Sequence, residues 1–145
     1  KRGRTNLFGT GADYGKALLR GAPVWRAGAD MSTRLKTEVP LLFGEKKIPA
    51  GEYSLFIDLK PENWTLIVSS WPAQEKFDRN NKEALWGAYN YTPDKDVARV
   101  PMSLNQLDMS IEQLTWSFAN VTKGGGTLML VWDTVMATTP FTVGQ

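Results

Sequence analysis

The chain contains no cysteine and no histidine. Without cysteine there is neither a disulfide frame nor a thiolate metal site. Without histidine the commonest general base and the commonest metal ligand are both missing, so neither catalysis nor a bound metal or other cofactor is expected. Long apolar runs are missing too: nothing approaches the roughly 20 consecutive apolar residues of a membrane-spanning helix. Charge of one sign is also scarce. The 17 basic and 15 acidic residues leave a formal net charge of +2, too small a surplus for a nucleic-acid surface. The one basic cluster, "KRGR" at Lys1 to Arg4, has no aromatic platform beside it and is expected to be a solvated arm.

What is present suits one globular domain spanning 1–145. Of the 145 residues, 42% are hydrophobic and 22% charged, enough to bury about two thirds of the unfolded surface. No linker or repeat divides them. From Ser32 onward period-two alternation dominates. In "TRLKTEV" Leu35, Thr37 and Val39 share one face, with Arg34, Lys36 and Glu38 on the other. "EYSLFIDL" sets Tyr53, Leu55, Ile57 and Leu59 against Ser54, Phe56 and Asp58. Similar faces carry Trp64, Leu66 and Val68, then Leu114, Trp116 and Phe118, then Leu128, Leu130 and Trp132. The breaks are turn chemistry: "PAG" ending at Gly51, "KPEN", "TPDKD" and "KGGG". Gly124 to Gly126 suits a tight hairpin, because glycine takes positive φ without steric cost. The pattern predicts an all-β antiparallel sandwich, jelly-roll-like or Greek-key, of about eight to ten short strands. Helix is limited to one turn in "YGKALLRG" and to Ala73–Trp86, where charge and paired asparagines fit a long connecting loop equally well.

Several motifs fall short of their chemistry. Gly9, Gly11 and Gly15 lack the spacing and the βαβ context of a dinucleotide fingerprint. "KGGGT" lacks the lysine-hydroxyl pair that must follow the last glycine to hold a nucleotide phosphate. Asp94 and Asp96 form a bare D-x-D without further calcium ligands; Asp94 is expected to shape a turn, and Asp96 to open a strand or pair with an arginine. N-x-S/T triplets at Asn63, Asn90 and Asn120 matter only in a eukaryotic secreted protein. The six tryptophans are more telling. Trp64, Trp116 and Trp132 fall on strand faces and read as core. Trp25, Trp71 and Trp86 sit at strand edges beside Pro, Gly or Arg. With Tyr89 and Tyr91, Trp25 and Trp86 could line a groove for sugars or peptides, or seal an open end of the sandwich.

Five blocks occur in one order: "VWRAGAD-ST" (Val24 to Thr33), "IPAGEYSLF" (Ile48 to Phe56), "WTLIV" (Trp64 to Val68), "WGAYNY…DVARV" (Trp86 to Val100) and "LVWDTVMATTPFTV" (Leu130 to Val143). Together they resemble the bacterial domain-of-unknown-function family 2911 over nearly the whole chain. Extra residues separate Lys16 from Val24, and Ala27 and Asp30-Met31 stand where the family carries threonine and an Asn-Glu pair. The resemblance implies a β-sandwich and export from the cytoplasm, to the periplasm or beyond, in line with a start at Lys1 without methionine. It implies no activity, substrate or cofactor.

Three functional readings follow. In the first, the domain is a non-catalytic binding module that takes a small molecule, glycan or peptide at one end, with Arg26 as charged anchor and Trp25, Asp30, Trp86 and Tyr89 around it. In the second, Arg26 is a structural staple bridging to Asp96, Asp58 or Glu52, and Trp25 plugs the sandwich end. The third, a histidine-free hydrolase or lyase, would need a cleft with two carboxylates of strongly perturbed pKa. An exposed edge strand could also pair two copies into a homodimer, although the sequence does not show which strand is at the edge.

Overall fold

The computed structural model describes residues 1–144. Eight strands occur among them: β1 (Thr33–Thr37), β2 (Leu41–Phe43), β3 (Lys46–Ile48), β4 (Gly51–Lys60), β5 (Asn63–Ser69), β6 (Asp96–Pro101), β7 (Ser103–Thr122) and β8 (Gly125–Val143). Helix is confined to the single turn α1 (Lys16–Leu19) and to 3-10 turns at Gly11–Asp13 and Pro93–Lys95. All strand pairings between these elements are antiparallel, in two four-stranded sheets ordered β1-β4-β5-β6 and β3-β2-β8-β7. The expected all-β sandwich is the observed architecture. Ala73–Trp86 holds no helix and belongs to a long connection. Arg2, Gly3 and Arg4 are exposed, while the Lys1 ammonium lies 2.9 Å from the Glu112 carboxylate.

Strand β4 positions everything else. Its alternation places Leu55, Ile57 and Leu59 on one face with Trp64, Leu66 and Val68 of β5 and Ala98 and Val100 of β6. That face closes on Leu41, Phe43, Leu128, Leu130 and Ala137 of the second sheet. Phe8 stands among the rings of Trp25, Trp64, Trp132 and Tyr14, with centroids 4.9 to 6.3 Å away. The opposite face of β4 and β5 is dry as well: Phe56, Ile67, Ser54 and Ser69 are fully buried. A second apolar cluster covers it, formed by Phe56 and Ile67 with Val24, Trp71, Leu85, Ala88 and Tyr91. A sheet buried on both faces reads as a continuous apolar run rather than a clean alternation, and Leu55-Phe56-Ile57 is such a run.

Strands β7 and β8, of 20 and 19 residues, are far longer than the short strands expected. They form a bent ribbon. Between Gln106 and Ile111 β7 advances five residues while β8 moves only from Val135 to Asp133, and a further slip follows before Thr115. Extra residues on one strand bend and twist a pair. At this corner Asp133 is buried with left-handed φ of 53° and accepts a hydrogen bond from the Ser110 hydroxyl at 2.8 Å. The bend brings β8 back on itself: the Val143 N–H donates to the Gly124 carbonyl at 2.9 Å. The hairpin turn is Lys123–Gly124, with Thr122 opposite Gly125. Positive φ falls at Gly125 rather than at Gly124, and a Cβ there would overlap the Phe141 carbonyl oxygen. Close approach of the returning strand, as much as turn geometry, therefore requires that glycine.

Candidate functional site

Between β5 and β6 the chain leaves the sheet as a long loop, residues 70–95, which folds over the outer face of β4 and β5. Side chains hold both of its ends. The Ser69 hydroxyl accepts from the Trp71 N–H at 3.1 Å, and the Ser54 hydroxyl donates to the Trp71 carbonyl at 2.7 Å. The Trp71 indole N–H donates to the Thr92 carbonyl at 3.1 Å, and the Lys95 ammonium stands 4.9 Å from the centre of its ring. At the far end the Tyr91 phenol donates to the Asp96 carboxylate at 2.7 Å, and Arg99 bridges Asp96 and Asp58 at 3.0 Å each. Burial and then the Asp96 carboxylate push the Tyr91 phenol above its ordinary pKa.

The middle of the loop is organised by one amide. Gln74 is buried, and its Nε2 donates to the carbonyls of Asp78, Asn81 and Ala84 at 3.0 to 3.1 Å, while its Oε1 accepts from the Asp78 N–H at 2.8 Å. Its backbone N–H donates to the Leu85 carbonyl at 2.8 Å. The Ser32 hydroxyl ties the loop to the Val24–Thr33 block by donating to the Gly87 carbonyl at 2.6 Å. A segment so extensively hydrogen-bonded would be expected to bury its rings, yet Phe77 is 57% and Tyr89 52% exposed. Together with Trp86, which meets Phe77 edge-on at 6.0 Å, they line an open cleft of about 470 Å³. Arg79, Lys82, Asp78 and Asn90 complete its walls.

The proposed anchors separate by alternation. Trp25 forms an isolated antiparallel bridge with Ile57, the two backbones exchanging hydrogen bonds of 2.8 and 2.9 Å. Its side chain therefore shares the Ile57 side and enters the core, stacked on Trp132 at 6.0 Å and only 2% exposed. That corrects its place among groove-lining residues: the bridge turns it inward. Val24 lies in the outer cluster, and Arg26, on the same side by alternation, runs along the loop. A Cβ on Gly87 would meet Arg26 Cδ at 3.1 Å, so the guanidinium stem lies directly on that glycine. Arg26 and Tyr89 line one narrow cleft, and Tyr89 and Trp86 line the large one. Asp30 has left-handed φ of 59°, and its carbonyl faces Gly87 while the residue itself is exposed and borders neither cleft.

The carboxylate staple is overturned. Arg26 makes no ion pair among the described residues, because Asp58 and Asp96 are held by Arg99 and Glu52 lies 3.4 Å from Arg34. Arg26 Nε is buried without a hydrogen-bond partner. Of the residues read as structural, Trp64 is fully buried and donates to the Tyr14 hydroxyl at 2.9 Å. Trp116 and Trp132 are half-buried and donate to the carbonyls of Ala27 and Glu112. Asp96 opens β6, Gly51 opens β4, and Asp94 accepts from the Thr92 hydroxyl within a 3-10 turn. Phe77, Arg79, Lys82 and Gln74 were not foreseen, although an isolated phenylalanine inside the charged run "EKFDRNNK" is a signal that could have marked the cleft.

A second groove, of about 810 Å³, lies where Gly9 to Tyr14 meet the start of β7. It is larger, but it carries neither a cation nor a highly exposed ring, and its one carboxylate is Glu62. No group of three or more carboxylates suited to a metal ion occurs among the described residues. No helix among them is long and apolar enough to cross a membrane. Compared with known proteins, residues 1–141 match the family model described as "Protein of unknown function (DUF2911)". Neither curated proteins nor solved structures return a significant match.

Proposed function

The chain belongs to the DUF2911 family, whose description names no activity, and we propose that it is a non-catalytic binding module holding a glycan or short peptide in the cleft of loop 70–95. One observation carries this reading: a loop held by side-chain hydrogen bonds exposes Phe77 and Tyr89 around a cleft of about 470 Å³. Flat rings with polar neighbours on a rigid frame bind ligands at little conformational cost, since nothing must be ordered on binding. The non-catalytic part is supported by the lining itself. It offers one carboxylate, Asp78, whose oxygen already accepts from the Asn80 N–H at 2.9 Å, in a chain without histidine or cysteine.

The test is calorimetric titration with a panel of oligosaccharides and short peptides, on the wild type and on Trp86→Ala and Tyr89→Ala. A ligand should bind the wild type and lose at least about tenfold in affinity in each variant while both unfold near the wild-type midpoint. A ligand bound equally by all three proteins, or a panel without any binder, would rule the cleft out.

A further inference from the structure

Resting on that reading of the cleft as a binding site, we propose that its ligand is an acidic carbohydrate, with a sugar carboxylate seated against Arg26 and Arg20 and a pyranose ring stacked on the Tyr89 side of the cleft. The first observation is the buried, unpartnered Nε of Arg26. A buried guanidinium N–H without an acceptor is costly, and an anionic oxygen is its best complement. The group lines a narrow cleft with Arg20, Leu18, Val24 and Tyr89, whose free room of about 10 Å³ suits about one oxygen atom. Gly87, at φ of 59°, carries no Cβ to displace the Arg26 stem, and no carboxylate of the described residues reaches the guanidinium.

The second observation is continuity and charge. Tyr89 forms a wall of both the narrow cleft and the aromatic one. Arg20, Arg26, Arg79 and Lys82 line the two together, none in an ion pair among the described residues, against the single carboxylate of Asp78. A chain almost neutral overall thus gathers unpaired positive charge around exposed rings. Rings select the apolar faces of sugars, and the unpaired Arg26 N–H, with room beside it for about one oxygen, selects a single anionic oxygen such as one of a carboxylate. A ligand with both features in one unit is a uronic acid.

Calorimetry with an oligogalacturonide, a neutral gluco-oligosaccharide of equal length and a polyglutamate of similar charge tests this directly. The expected result is binding of the oligogalacturonide alone, weakened by about tenfold or more in Arg26→Met and declining as salt is added. Arg26→Met keeps the aliphatic stem, and its thermal midpoint shows whether it is folded; the double variant Arg79→Gln/Lys82→Gln should weaken the same ligand without touching the Gly87 contact. Equal binding of the neutral sugar would overturn the carboxylate assignment and leave the binding module standing. Equal binding of polyglutamate would overturn the carbohydrate. An affinity for the oligogalacturonide unchanged in Arg26→Met would overturn the seat. Failure of all three ligands to bind overturns this inference alone if the wider panel yields a ligand that depends on Trp86, and both readings if it does not.

Discussion

Trp25 and Arg26 are consecutive residues that end on opposite sides of the same sheet. The bridge to Ile57 continues the edge begun by β1, and extended geometry then sends one side chain inward and the next outward. Their substitutions should differ accordingly. Trp25→Ala removes a ring packed against Phe8, Trp64 and Trp132 and should cost about 3–5 kcal/mol in urea unfolding. Arg26→Met deletes a guanidinium that pairs with nothing among the described residues and retains the stem on Gly87, so stability should not fall and should rise by about 1 kcal/mol as the unpaired buried N–H is removed. A loss of several kcal/mol in Arg26→Met would reveal an ion pair and count against an accessible anion seat. Alternation makes the inward turn of Trp25 readable from "VWR", once Val24 to Arg26 is taken as strand. That Arg26 lacks a carboxylate partner among the described residues was not readable in the same way. Which carboxylates are already taken depends on the register of β4, β5 and β6, and that is a property of three strands together.

At the scale of the element, the loop of residues 70–95 shows how far composition reaches. Charge and paired asparagines left Ala73–Trp86 open between helix and loop because the deciding contacts are specific rather than periodic. A single buried amide serving three carbonyls has no pattern a sequence window can detect. The bent ribbon was hidden for a related reason, since alternation fails through "LDMSIEQL" where β7 carries its extra residues. The loop's last anchor makes a pH prediction. The Tyr91 phenol has its pKa raised above 10.0 in the folded protein by burial and by the Asp96 carboxylate. Its contribution is therefore complete below about pH 10, where the phenol is neutral in both states, and is lost as pH climbs toward the folded value. Tyr91→Phe should be less stable than the wild type at neutral pH, by about 1–3 kcal/mol for a hydrogen bond to a charged acceptor. The gap should narrow steadily above about pH 10. The two proteins differ in this hydroxyl alone, so the difference between the two stability curves isolates it. A gap that stays constant to pH 11 would mean that folding does not raise the Tyr91 pKa, by burial or by Asp96.

For the whole molecule, β4 and β5 divide two dry regions of unequal size. The sandwich core on one side joins both sheets, whereas the cluster on the other joins one sheet to a loop. Much of the first was legible, since β1, β4, β5 and the hairpin end of β7 and β8 alternate with period two and turn residues mark the breaks between them, whereas β2, β3 and β6 are too short to announce a face. The second was not read from the sequence: Phe56 interrupts the otherwise polar face of "EYSLFIDL", but what covers that face comes from elsewhere in the chain. This division should appear in how the protein opens. Elements tied by fewer buried contacts open at lower free energy than the core. In native-state hydrogen exchange, the Gln74 and Leu85 amides, bonded across the loop to the Leu85 and Pro72 carbonyls, should exchange through partial opening. The Phe56 and Ile67 amides, within strands buried on both faces, should require global unfolding. A ligand in the aromatic cleft stabilises the closed loop by mass action, so it should slow Gln74 and Leu85 at ligand concentrations that leave partial openings elsewhere unchanged. Should the loop amides instead exchange as slowly as those of β4 without ligand, loop and sandwich would be one cooperative unit, and Tyr91→Phe would then lower the stability of every amide together.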